Sequence, residues 1–496
     1  MAFVMVMMMA LTGADWSNSG GNQGRNCLTE EVGPIEADLL WSGGRTSLIA
    51  WQPVTEGNLL FVVRQAAWPG TPGDSPVVCM DLSTGGEEWA EDIPYATGDW
   101  ITWIAGVMNG LVFASRGGNG ASVSAPLYAL DVTDGSVVWV SDDEIDAGAY
   151  DGVVFAGDGD PVIASFRDIW RIDCVDGSTE WHASRTASVS GECGGCIHGD
   201  GFYVVDAVPG GHAFVKYDLE TGAELYHGPV MSGFTAQCTP MAGPDGTLYF
   251  NRSQSNPAVD YFYAFEDTGT GFTEKWHIPT VNAAGPEFGV GPDGSVYFVI
   301  PGPCLARVDP DDGTVLAQTD TLPDYSKCRL ALDADGTVFF SNGSFAGGRL
   351  YAFTANLDPL WDTAVTNINI GGPALGQNGT VVVCGIGTDV RAYRSSEGIP
   401  GMGPAPAALS ICCLPNPSSG PVTVSLSGPR GEHASLAVFD LSGRMVADLG
   451  ELETSPEGAG VVWDPGGPGG GRVPCGTYLI RCETPAGAVT ARLVVL

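Results

Sequence analysis

The chain is poor in positive charge. It carries 21 Lys and Arg against 58 Asp and Glu, a formal net charge of −37, and lysine occurs only at Lys216, Lys275 and Lys327. A polyanion of this kind is repelled by nucleic acid and by anionic membrane surfaces, so neither is an expected partner. Long apolar runs are also missing. After the first residues no run approaches the ~18 apolar residues that a membrane helix needs. There is no nucleophile elbow, no Walker loop, no dinucleotide fingerprint and no His-Glu-x-x-His zinc motif. The 6 histidines are scattered and form no metal-binding pattern. No catalytic residue is therefore assigned.

Turn formers and short apolar runs are abundant. The 496 residues include 71 Gly and 34 Pro. Yet 44% of the chain is hydrophobic, and the apolar residues come in short, evenly spaced runs. This is the pattern of many short strands joined by tight turns. The 13 cysteines are an odd number and more than a cytosolic protein usually holds, which points to an oxidising compartment with some disulfides. The first residues, Met1–Leu11, form an apolar run followed by small residues, as in a secretory signal of residues 1–14, although the usual basic flank is absent.

Internal repetition decides the fold. The clearest unit is LYALDVTDGSVVW, residues 127–139, with the skeleton Ala129, Asp131, Asp134, Gly135, Trp139. The same offsets return in Cys79, Asp81, Thr84, Gly85, Trp89; in Arg171, Asp173, Asp176, Gly177, Trp181; and in Lys216, Asp218, Thr221, Gly222, Tyr226. Arg307, Asp309, Asp312 and Gly313 repeat it with Ala317 in the tryptophan place. Two copies are altered: one carries extra residues before Trp276, and the other, ending at Trp361, has lost its glycine. A last partial copy ends at Gly398. Each unit reads as a strand, a turn in which Asp accepts backbone N–H groups, a glycine with positive φ, and a return strand ending on a large ring. A second hairpin signal, such as GPDGTLYF (243–250), precedes the unit. Two hairpins make the four strands of a propeller blade.

The expected fold is all-β: an eight-bladed β-propeller over 15–398, a Pro/Gly/Ala linker over 399–413, and a small immunoglobulin-like β-sandwich over 414–496. The last blade lacks its outermost strand. Leu39, Leu40 and Trp41 are expected to supply it, closing the ring and removing two exposed sheet edges.

The repeat skeleton resembles the tryptophan-docking motif of propellers of the pyrroloquinoline quinone (PQQ) type. The opening DWSNSGGNQGRN (15–26) is similar to the start of that family, with Trp16, Gly20, Gly21, Asn22 and Arg25 matching. The resemblance implies the fold. It implies chemistry only in part, since many such propellers are scaffolds or binding platforms. The quinone-dependent members hold a vicinal disulfide beneath the cofactor and a calcium ion. Here the one Cys-Cys pair, Cys412-Cys413, lies beyond the last blade, nothing maps onto the calcium ligands or the catalytic Asp, and no haem-attachment motif is present. The tail resembles the domain of flagellar hook-capping proteins and of type IX secretion sorting modules, through Pro415, Asn416, Pro417, Gly420, Asp440, Gly443, Arg444, Trp463, Gly476, Tyr478 and the terminal RLVVL. That resemblance implies export, through the periplasm to the outside or the outer cell surface, with the secretion machinery as a partner.

Other features have competing readings. Cys193 and Cys196, with His198 nearby, suit a structural disulfide, with a redox pair or half a metal site as the alternative. One disulfide is expected among Cys412, Cys413, Cys475 and Cys482. Asp309, Asp311 and Asp312, and separately Asp333 and Asp335, suit backbone-serving turns, with calcium as the alternative. Trp100 and Trp103 are expected to pack, or else to line a ligand rim. The function implied is a secreted or surface non-catalytic propeller that binds a protein or glycan, with no cofactor. The alternatives are a PQQ- and calcium-dependent oxidoreductase and an envelope-assembly scaffold.

Overall fold

The structure is a computed structural model. It describes residues 15–43, 52–64, 75–94, 101–117, 124–146, 153–185, 194–209, 211–231, 239–255, 258–281, 288–322, 327–343, 347–365, 371–385, 389–395, 410–414, 418, 420–427, 433–440, 444–453, 459–466, 473–474, 476–484 and 487–495. The chain separates into two compact units, Met1–Ser396 and Glu397–Leu496. There is no α-helix among the described residues.

Among the described residues the first unit contains eight four-stranded antiparallel sheets. In chain order they span 54–91 (sheet I), 101–146 (II), 153–184 (III), 196–227 (IV), 241–280 (V), 288–318 (VI), 327–364 (VII) and 374–393 (VIII). Sheets I to VII each run through four consecutive strands. Sheet VIII takes its fourth strand, Leu39–Gly43, from the start of the chain, with Leu39 opposite Tyr393 and Trp41 opposite Ala392. Neighbouring sheets share apolar cores. Phe61 and Val77 of sheet I pack with Val107 and Val112 of sheet II, and Val382 and Val390 of sheet VIII pack with Leu60 and Met80 of sheet I. The last sheet thus shares a core with the first.

The repeat skeleton forms the joints between sheets. Gly135 has φ 75° and its N–H donates to the Asp131 carbonyl at 2.9 Å. The Asp131 carboxylate accepts from the Thr133 N–H at 2.8 Å. Glycine is needed twice over here. The backbone is left-handed, and a Cβ on Gly135 would lie 2.6 Å from the ring of Trp89 on the preceding sheet. Trp89 in turn donates from Nε1 to the Val132 carbonyl at 2.8 Å. The same joint recurs as Trp41 on Gly85, Trp139 on Gly177, Trp181 on Gly222 and Trp276 on Gly313. The indole donors reach Leu82, Cys174, Leu219 and Pro310 respectively. Each joint combines apolar ring burial with a directed hydrogen bond, which fixes the spacing of successive sheets. Where Tyr226 stands in the tryptophan place, its hydroxyl instead donates to Asp267 at 2.6 Å. Where the glycine is lost, Leu357 takes φ 64°, and Trp361 donates to the Pro34 carbonyl at 2.9 Å.

The second unit has a three-stranded sheet built from Ser410–Leu414, Val422–Ser427 and Ala459–Trp463. A four-stranded sheet is built from Met445–Glu453, His433–Asp440, Gly476–Thr484 and Gly487–Val495. Val422, Val424, Leu436, Val438, Trp463 and Ile480 form one core from both sheets. The first of these strands begins within the segment read from sequence as linker.

Candidate functional site

The segment 15–34 binds every sheet of the first unit through its backbone or side chains. Trp16 and Thr55 of sheet I exchange N–H···O bonds at 3.3 and 3.0 Å. Val107 of sheet II donates to the Ser17 carbonyl at 2.8 Å, and Arg25 donates from Nη1 to the Val153 carbonyl of sheet III at 3.3 Å. Ile197 of sheet IV donates to Gln23, Ala242 of sheet V to Gly24 and Val290 of sheet VI to Asn26, each at 2.8 Å. Leu332 of sheet VII donates to the Cys27 carbonyl at 2.7 Å. Glu31 accepts the Gly379 N–H of sheet VIII at 3.0 Å. Apart from Gly379, in the turn after it, every partner named is on the first strand of its sheet or next to its end. The chain's own beginning therefore satisfies the free edges of these strands, an office that water or a ligand would otherwise fill.

The motif at the start of this segment has a conformational explanation. Gly20 and Gly21 have φ 108° and 86°, and Trp16 is fully buried. A Cβ on Gly21 would stand 3.2 Å from the Trp16 ring. Asn22 accepts the Gly24 N–H at 2.9 Å and donates to Asn26 and Leu28. These residues fold a compact loop. Asp333 closes its far end, accepting from Gly33 at 2.9 Å on one oxygen and from Asp335 and Thr337 at 3.0 and 2.6 Å on the other.

Three carboxyls gather along this segment. Burial first, then the charges of Glu31 and Glu56, push Asp15 up to about 7. Burial pushes Glu56 up to about 7, against the lowering effect of the Gly110 N–H, which donates to both its oxygens at 3.2 Å. Burial also raises Glu31.

A polar pocket of about 440 Å³ lies between sheets IV and V. His198, Asp200, Tyr203 and Lys216 line it from sheet IV, and Asp245, Thr247, Glu266, Asp267 and Lys275 from sheet V. Two of the three lysines in the chain thus face one pocket. Lys216 pairs with Asp200 at 3.1 Å and Asp267 at 3.3 Å, and lies over the rings of Tyr203 and Tyr226. Asp267 also accepts from Tyr203 at 2.7 Å. Lys275 is held more loosely, 3.3 Å from the Thr247 hydroxyl and 3.4 Å from the exposed Asp311. Mixed donors and acceptors beside a tyrosine ring suit a polar, hydroxyl-bearing ligand rather than an apolar one.

Lys216 belongs to a recurring clasp. At the same skeleton position Arg171 holds Asp158 and Asp160, and Arg307 holds Asp293. Sequence reasoning noted these three positions and gave them no role. The structure shows each bracing the first turn of its own sheet. Asp160, Asp173 and Cys174 bring ligand atoms together, but Arg171 already supplies the positive charge there.

The remaining sequence candidates are placed as follows. Cys196 is a fully buried free thiol, while Cys193 lies outside the described residues. Cys27, Cys79, Cys174, Cys304 and Cys384 are also free thiols. Asp309 and Asp312 accept backbone N–H groups of Asp311 and Thr314 at 2.8 Å. Trp103 is buried and donates to the Arg116 carbonyl at 3.0 Å. Trp100, Cys238 and Cys475 lie outside the described residues.

Repeated four-stranded sheets joined by indole-on-glycine contacts define an all-β protein of the propeller class. Residues 73–300 match a PQQ-repeat family model described as outer membrane protein assembly factor BamB. Among solved structures, the quinohemoprotein alcohol dehydrogenase from Comamonas testosteroni is similar at 13% identity and TM-score 0.55, over 80% of this chain and 82% of that one. The Dos1 propeller is similar at 10% identity and TM-score 0.54, over 72% and 95%. BamB from Moraxella catarrhalis aligns at 13% identity and TM-score 0.48, over 73% and 99%. At these identities the likeness is one of fold. No curated protein sequence matches the chain.

Proposed function

We propose that the chain is an exported, non-catalytic eight-bladed propeller that binds a protein or glycan, with an immunoglobulin-like C-terminal domain that directs its passage to the cell surface. The observation that carries this reading is the segment 15–34, whose backbone bonds to sheet after sheet. That arrangement spends the free inner edges on the chain itself and directs ligand binding to side-chain sites such as the pocket between sheets IV and V. The tail motifs and the apolar first residues support export. A second reading, a scaffold in envelope assembly, is favoured by the match of residues 73–300 to an assembly-factor model.

Binding of the full chain to glycan and peptide arrays tests the first reading. Lys275 is partly exposed and loosely paired, so Lys275→Ala is expected to fold normally and to weaken captured ligands about tenfold, the loss of one charge-assisted hydrogen bond. Ligands held equally well by the variant would place recognition elsewhere.

A further inference from the structure

Arg252 and His212 stand on neighbouring sheets, away from the polar pocket and from the segment 15–34. Arg252 lies on Leu248–Ser255 of sheet V, opposite Tyr261, and is 5% exposed. Burial raises the pKa of Tyr263, and the nearby Arg252 opposes that shift. The Arg252 Nε and Nη2 are buried and have no hydrogen-bond partner. His212 lies on Gly211–Asp218 of sheet IV, opposite Ala207. Its backbone exchanges hydrogen bonds with Met231 at 3.1 and 2.7 Å, and its Nδ1 is likewise buried without a partner. The two side chains sense each other: burial first, then the positive charge of Arg252, lowers the His212 pKa, while Asp206 opposes the shift. Asp206 accepts from Arg185 on one oxygen and from Tyr217 on the other at 3.1 Å, and makes no hydrogen bond to the His212 Nδ1.

A buried guanidinium with two N–H groups unused is costly, and the chemistry that relieves it is a planar or tetrahedral oxyanion able to accept in the fork geometry. The Nδ1 of His212, on the neighbouring sheet, is a second buried nitrogen without a hydrogen-bond partner. We propose that the buried guanidinium of Arg252, with His212 on the neighbouring sheet, is a binding site for a small oxyanion, a carboxylate or a phosphate. In a chain of net charge −37 such a site needs a buried, oriented cation, because the surrounding field disfavours anions.

The test uses the full chain with sodium phosphate and sodium acetate as probes, and sodium chloride at equal ionic strength as the control. Thermal unfolding is expected to shift upward saturably with one or both oxyanions and not with chloride. Which of the two acts distinguishes a phosphate from a carboxylate ligand. Arg252→Gln is expected to weaken that response at least about tenfold, since a neutral amide loses the charge and the fork. The second readout needs no variant. The His212 ring, followed by NMR, is expected to titrate at higher pH once the anion is bound, because a negative charge favours the imidazolium. A wild-type response no larger than that of chloride, a variant that responds like wild type, or a His212 titration unmoved by either probe would each overturn the proposal.

Discussion

At the scale of single residues, the joints between sheets depend on glycines that do two jobs. Gly135 combines φ 75° with a neighbouring indole 2.6 Å from where a Cβ would stand. Gly110 has a similar φ of 79° and open space around it. Gly110→Ala should therefore cost only the left-handed backbone, roughly 1–2 kcal/mol. Gly135→Ala should cost roughly 2–4 kcal/mol, because the Trp89 ring must also move. Denaturant unfolding of both variants measures the difference, and equal costs would mean that the indole contact is not tight. These glycines were legible in the sequence because their spacing repeats. The clasp residues were visible as Arg171, Lys216 and Arg307 but carried no meaning until the turns they brace were seen. Arg252 and His212 left no signal at all, since each belongs to a different sheet and no motif joins them.

At the scale of elements, the segment 15–34 explains what pattern analysis missed. Its partners are mostly backbone N–H groups of the sheets and its own carbonyls. Backbone pairing imposes no side-chain periodicity, so the run read only as a family-like opening. The loop chemistry of Gly20, Gly21 and Asn22 was in view, but its purpose depends on eight sheets brought together from across the chain. The altered units were legible as departures and not as solutions: Tyr226 recovers its joint through Asp267, and Leu357 accepts the backbone angle that glycine would have taken. The segment also carries a pH dependence. Asp15 is faced by Glu31, Glu56 and the Gly57 N–H, and Glu56 by the Gly110 N–H, and both carboxyls titrate near 7 in the folded chain. Folded values above the unfolded ones mean that the native state binds more protons. Their contribution is full below about pH 4, declines as pH rises through 7, and is gone above it. Glu56→Gln should remove part of this decline, on the order of 1–2 kcal/mol between pH 5 and 8 once screening of half-buried groups is allowed for. Unfolding of wild type and variant across that range checks it, and parallel curves would contradict it.

At the scale of the whole chain, composition, repeat and topology agree. The all-β class and the four-stranded sheets follow from short apolar runs, paired turn signals and a recurrent indole. The fold is shared with proteins of unlike activity, among them an alcohol dehydrogenase, so function has to be argued from sites. The proposed reading is that this chain uses the fold for binding rather than for quinone chemistry, with the first strands of its sheets engaged by residues 15–34. The most direct measurement is a calorimetric titration of the full chain with PQQ, in the presence and absence of calcium. The account predicts no saturable heat under either condition. Saturable, calcium-dependent binding would contradict it and would make the chain a candidate dehydrogenase.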